Sequence, residues 1–168
     1  WMLSAGGTGQ ESLKSLCRVA GDSLLVAGNF SGALNIGNVS VSSVPGGTDM
    51  FIVKFDDANN VAWVKIIGNA CQENLNGIAA DAMGNIYATG SFYNALSVDD
   101  TTVYAAGSRD GFLVSLDVNG NMNWLKAFGG PGSDEGAGVA VDAGGFIYLA
   151  ANMDLANFSI TDQPSSGG

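Results

Sequence analysis

The sequence predicts an all-β protein built from β-propeller blades, each a four-stranded antiparallel sheet, in a ring left incomplete. Three observations carry that prediction. One motif recurs at a period of about 61 residues, so the chain holds about 2.7 copies of it. Each copy contains four apolar runs of four to seven residues, bounded by Gly, Asn or Asp, as strands joined by tight turns require. Gly is abundant, at 25 of 168 residues, and no apolar pattern keeps a helical period long enough to compete.

The elements follow in order along the chain. Trp1-Met-Leu-Ser-Ala-Gly is a weak copy of Trp63-Val-Lys-Ile-Ile-Gly and Trp124-Leu-Lys-Ala-Phe-Gly, at spacings of 62 and 61 residues. Residues 1–5 are therefore expected to be the outer strand of a preceding blade. Blade 1 then spans 6–67, blade 2 spans 68–128, and 129–168 forms the first half of blade 3. Within each blade the first run is Ser15-Leu-Cys-Arg-Val19, Gly77-Ile-Ala-Ala-Asp81 or Gly138-Val-Ala-Val-Asp142. Its small apolar residues suit the innermost strand, crowded at the axis.

A turn follows, Asp81-Ala-Met-Gly-Asn85 or Asp142-Ala-Gly-Gly145, in which Asp bonds the turn backbone and Gly supplies a positive φ. The second strand comes next, and after it a variable stretch, 31–48 or 93–109. Asp49-Met-Phe-Ile-Val-Lys-Phe-Asp56 and Asp110-Gly-Phe-Leu-Val-Ser-Leu-Asp117 form the third strand. Asp117-Val-Asn-Gly-Asn121 then turns the chain into the Trp-bearing outer strand.

Charge and composition exclude several function classes. The net charge is −10, with six Lys and Arg in all, so phosphate backbones and anionic membrane faces would be repelled. There is no His, which removes the usual zinc ligand and any Ser-His-Asp triad. No apolar run approaches the roughly 18 residues of a membrane span. The chain opens at Trp1 inside a repeat and without a signal peptide, as expected of a processed product or a fragment. Cys17 falls where the other copies carry Ala79 and Ala140, as a small buried thiol would, and Cys71 falls in a loop. A disulfide between them is one reading for a secreted protein.

The candidate binding residues are acidic and aromatic. Glu11, Glu73 and Glu135 recur at 62-residue steps in the loop leading into each inner strand. Together with Tyr93 and Tyr104 of a variable stretch, they could hold a cation or sugar hydroxyls, or act as an acid/base pair. The plainer reading is a carboxylate bonding loop N–H groups in every blade. Recurrence favours that one, because catalytic sites are normally asymmetric. Asp49, Asp110, Asp81 and Asp142 read as turn and strand caps. Trp1, Trp63 and Trp124 read as packing between blades. Asp117, Asn119 and Asn121 resemble the start of a calcium loop, but Gly120 breaks the pattern and no Glu closes it. Asp99-Asp100 reads as solvated. No catalytic residue, metal ligand or cofactor is therefore expected. If the chain recognises something, the variable stretches are where specificity belongs, unless they extend the blade instead.

The string Asp-Ala-x-Gly-Asn-Ile-Tyr-x-x-Gly, then Asp-Gly-Phe-Leu-Val, Asn-Gly-Asn-x-x-Trp and Gly-Gly-x-Gly-x-Asp-Glu, resembles the bacterial SBBP family of β-propeller repeats. The resemblance covers nearly the whole chain and is best in the second copy. It implies extracellular or cell-surface bacterial proteins whose blades serve as scaffold or interaction modules, and it carries no catalytic residue. The expected function is a non-catalytic module of a larger protein. Its partners would be the remaining blades or further copies of itself, joined at open strand edges. A glycan-binding or glycan-cleaving propeller is the third reading.

Overall fold

The computed structural model describes residues 5–154 and 159–162. Trp1 and most of the expected strand over 1–5 lie outside the described residues. Apart from a 3-10 turn at Ala20–Asp22, the regular structure among the described residues is all strand.

The first stretch contains β1 (Ala5–Gly7), β2 (Glu11–Arg18), β3 (Leu24–Phe30), β4 (Ala33–Ile36), β5 (Val39–Ser42), β6 (Asp49–Phe55) and β7 (Val61–Ile67). The second contains β8 (Glu73–Ala80), β9 (Ile86–Phe92), β10 (Ala95–Val98), β11 (Thr101–Tyr104), β12 (Asp110–Leu116) and β13 (Met122–Gly129). The third contains β14 (Glu135–Val141), β15 (Ile147–Asn152) and β16 (Ser159–Asp162). Strands β2, β3, β6 and β7 form one antiparallel four-stranded sheet, and β8, β9, β12 and β13 form the next. Strands β14 and β15 form a hairpin equivalent to the inner half of a blade.

The hairpin turns arise from local chemistry. Asp81 Oδ1 accepts from the N–H groups of Met83 and Asn85, both at 2.9 Å, and Gly84 takes φ +89°. The turn at Asp142 repeats this, with N–H groups at 2.8 and 3.0 Å and Gly145 at φ +82°. Asp117 does the same on the outer side of blade 2, donors at 2.8 and 2.9 Å and Gly120 at φ +86°. One five-residue device thus closes both hairpins of blade 2.

Alternation along β6 divides the core. Met50 and Ile52 join the cluster that fills the seam between blades, with Leu25, Leu75, Ile78 and Phe112. Phe51, Val53 and Phe55 point the other way, into a cluster with Phe30, Leu34 and Ile36. There Phe30 meets Phe51 edge-on, ring centroids 5.9 Å apart. Each fully buried side chain of this size contributes about 1.5–3 kcal/mol. Strand β6 is thus buried on both sides, against the next blade on one and under the β4–β5 hairpin on the other.

The inner strands β2, β8 and β14 lie side by side. Ile78 N donates to Ser15 Oγ at 3.3 Å, and Asn76 Nδ2 donates to Gly136 O at 2.9 Å. A Cβ on Gly136 would sit 1.9 Å from Thr89 Oγ1 of β9 and would displace that hydroxyl from the Phe112 carbonyl it bonds.

The variable stretches prove to be hairpins at the outer rim. Their placement differs from a simple extension of their own blade. Strand β4 pairs with β1, and β16 pairs with β13, the outer strand of the blade before it. The hairpin β10–β11 forms a two-stranded sheet of its own and packs between β7 and β13. It is tied to both blades by Asp99, which pairs with Lys65 of β7 and accepts from Met122 N of β13.

Candidate functional site

The acidic positions gather at the seams between blades, where the chain of one blade runs beside the next. Thr48 and Gln72 form an isolated parallel bridge, and Glu73 N donates to Thr48 O at 3.0 Å. Asp49 and Glu73, the residues that follow, are both buried. Asp49 Oδ2 accepts from Val44 N at 2.7 Å, and Glu73 Oε2 accepts from Asn69 N at 3.3 Å. Asp49 Oδ1 and Glu73 Oε1 are buried without a hydrogen-bond partner. Burial raises the Asp49 carboxyl above its usual range against the pull of the Val44 N–H. Burial pushes Glu73 up to about 7, the Asn69 N–H lowering it and the Asp49 charge raising it.

The seam between blades 2 and 3 repeats the arrangement with one difference. Arg109 and Ser133 form the parallel bridge, and Asp134 N donates to Arg109 O at 2.7 Å. The buried acid in the place of Glu73 is therefore Asp134, not Glu135. Gly130 N bonds Asp134 Oδ2 at 3.0 Å from four residues back, as Asn69 N bonds Glu73. Glu135 pairs opposite Asn152, the register position of Asn74 opposite Ser91. A one-residue slip turns a strand side chain to the other face. Glu135 accordingly lies partly exposed, 3.3 Å from Arg109 Nη2. The expected recurrence of three glutamates at one position is thus corrected: Glu11, Glu73 and Asp134 are the equivalent set. At this second seam Asp110 accepts from Ala106 N and Gly107 N at 2.9 and 3.3 Å, and Asp134 Oδ1 accepts from Asp154 N at 2.7 Å.

Glu11 has a different setting. It is exposed and lines a groove of about 440 Å³ with Gln10, Ser12, Lys14, Asn29, Ser31, Thr48 and Asn74. Every lining residue is polar. Asn29 is already engaged, holding Leu75 N at 2.7 Å and Leu75 O at 3.4 Å across the seam. Tyr93 is half-buried and Tyr104 is exposed, and neither lines this groove. Glu73, sealed in its seam, is out of reach of a sugar there. The structure does not bring the five expected binding residues to one surface.

The remaining candidates serve the fold. Trp63 Nε1 donates to Val118 O of the next blade at 3.2 Å, and its ring packs under Gly120. Trp124 stacks at a tilt on Tyr87 of its own blade, centroids 6.2 Å apart. Both oxygens of Asp117 are bonded inside the turn, to Asn119 and Asn121. Among the described residues no group of three or more acids or cysteines is placed to hold a metal ion. Cys17 and Cys71 are free thiols, not a disulfide, and burial raises Cys17 to about 11. Asp99, read as solvated, instead ties two blades: it pairs with Lys65 of β7 and accepts from Met122 N of β13 at 3.0 Å. Burial opposes its ionisation, but the Lys65 ammonium and Met122 N–H hold its carboxyl below the usual range.

No protein-family model matches the chain. It is similar to an uncharacterized WD repeat-containing protein of Acanthamoeba polyphaga mimivirus, with 26% identity over 147 residues, 76% of this chain. The chain spans about a tenth of that relative, 11% of its length. WD repeats are propeller blades of four strands. The antiparallel four-stranded sheets, repeated in sequence and packed face to face, are therefore β-propeller blades.

Proposed function

We propose that this chain is a non-catalytic structural and interaction module of a larger extracellular bacterial protein. The observation that carries the reading is the fate of the acids. Asp81, Asp117 and Asp142 close turns, Asp49, Glu73, Asp110 and Asp134 are sealed between blades, and Asp99 clasps the rim. These carboxylates are spent on holding blades together. The WD-repeat likeness supports an interaction role, and the resemblance to SBBP repeats supports the bacterial and extracellular setting. Incubating the isolated chain with ester, phosphoester, peptide and glycoside substrates tests it. No turnover is expected, and turnover abolished by a single point change would sink the reading.

A second reading, that the exposed edge of blade 1 seats another blade, has its own observation. Leu13 and Leu16 of β2 are 64% and 69% exposed. The residues at the same register in β8, Leu75 and Ile78, are 0% and 5% exposed, because blade 1 lies on them. A blade from a further copy or from a longer chain fits there. Light scattering across a dilution series separates the sources. A discrete oligomer that survives dilution identifies self-assembly, whereas a monomer assigns the face to blades of a parent protein.

A further inference from the structure

The two seams solve one electrostatic problem differently. At each, two buried acids lie within electrostatic reach of each other: Asp49 and Glu73, and Asp110 and Asp134. The second seam supplies four backbone N–H donors, from Ala106, Gly107, Gly130 and Asp154. Every carboxylate oxygen there has a donor. The first seam supplies two, from Val44 and Asn69, and leaves Asp49 Oδ1 and Glu73 Oε1 buried with none. Two ionised carboxylates with unpaired buried oxygens repel each other and lose their hydration. One proton relieves both costs. It neutralises one acid, which ends the repulsion and lowers the cost of burying the unpaired oxygens.

We infer that Asp49 and Glu73 hold one proton between them at the seam of blades 1 and 2, and that this seam loosens when the proton leaves for solvent. Among the described residues no cation acts on either acid. Glu11, Lys14 and Arg18 of β2 are exposed, Lys54 of β6 donates to Val118 O, Tyr87 of β9 bonds Asp81, and Glu135 of β14 pairs with Arg109. Asp49 is the charge that acts on Glu73. The sign follows from proton linkage. Glu73 titrates near its ordinary 4.5 when unfolded and near 7 when folded, so the folded chain binds the extra proton between those values. Stability is therefore full at the acid side of this window and declines as pH rises through about 7.

Thermal melting of the 168-residue chain from pH 5 to pH 8.5 tests this. The Tm is expected to fall by roughly 5 °C or more across that range. Glu73→Gln, whose amide is neutral as the protonated acid is, is expected to flatten the profile and to melt above the unaltered chain at pH 8. An equal slope in Glu73→Gln overturns the inference. Should that variant not fold, infrared spectroscopy of the unaltered chain decides. A buried protonated-carboxyl band is expected at pH 5.5 and should vanish by pH 8.5, and its absence at pH 5.5 overturns the proton. If millimolar Ca²⁺ or Na⁺ restores the Tm of the unaltered chain at pH 8, a cation fills the site and the inference also fails.

Discussion

Asp81 shows how much one side chain organises. Its two oxygens accept from Met83 N, Asn85 N, Asn85 Nδ2 and the Tyr87 hydroxyl, at 2.8–3.2 Å. Asp81→Ala removes an acceptor shared by four donors and is expected to cost roughly 1–2 kcal/mol in urea denaturation. Asp81→Asn should recover part of that. The turn acids also set an acid limb. In Asp117 and Asp142 the bonds from Asn121 and Phe146, together with those from their turn neighbours, hold the carboxyls below the ordinary 3.8. Such groups favour folding above pH 3.8 and lose that contribution as pH falls towards their depressed values. A melting series from pH 5 to pH 2.5 should show the decline, reduced in Asp117→Asn. At Gly90 the constraint is space alone. A Cβ there would stand 1.8 Å from Asn74 O on the paired strand, so Gly90→Ala should destabilise by about 2 kcal/mol or more.

Among the elements, the rim hairpins carry the most information beyond the repeat itself. They hold the least repetitive sequence, yet β10–β11 is fastened at both flanks: Asn69 Nδ2 donates to Ala95 O at 2.5 Å, and Asp99 bridges Lys65 and Met122 N. The Lys65–Asp99 pair is partly exposed, so its coupling is expected to be modest. A double-mutant cycle with Lys65→Ala and Asp99→Ala should return about 0.5–1 kcal/mol, shrinking in 0.5 M salt. Asp99→Ala alone should cost more than Lys65→Ala, because it also strips Met122 N of its acceptor.

For the whole molecule, equivalent positions of the repeat are covered unequally. Leu13 and Leu16 face outward where Leu75 and Ile78 are buried. Leu16→Glu is expected to change the stability of the chain itself by no more than about 0.5 kcal/mol, since the side chain has little to lose. It should nevertheless shift the light-scattering mass downward if copies associate through this face. An unaltered mass distribution would remove β2 from any assembly.

The spacing of the repeat, the apolar runs and the Asp-x-x-Gly turns were legible because each is local. A five-residue turn closes on its own atoms, and alternation along a strand needs only the strand. A constant step of 61 residues, seen from Trp63 to Trp124 and from Asp49 to Asp110, also lands from Glu73 on Asp134, a signal that the neighbouring Glu135 obscured. Pairing decided between them: Glu73 stands two residues before the bulge at Leu75/Gly77, and Asp134 two residues before the equivalent bulge at Gly136/Gly138. The same holds for β4 and β16, whose partners β1 and β13 lie outside their own blades. It holds too for the two orphaned carboxylate oxygens, which exist only because two blades meet. Local chemistry made the blades; the contacts between them, between residues distant in the chain, were settled by packing.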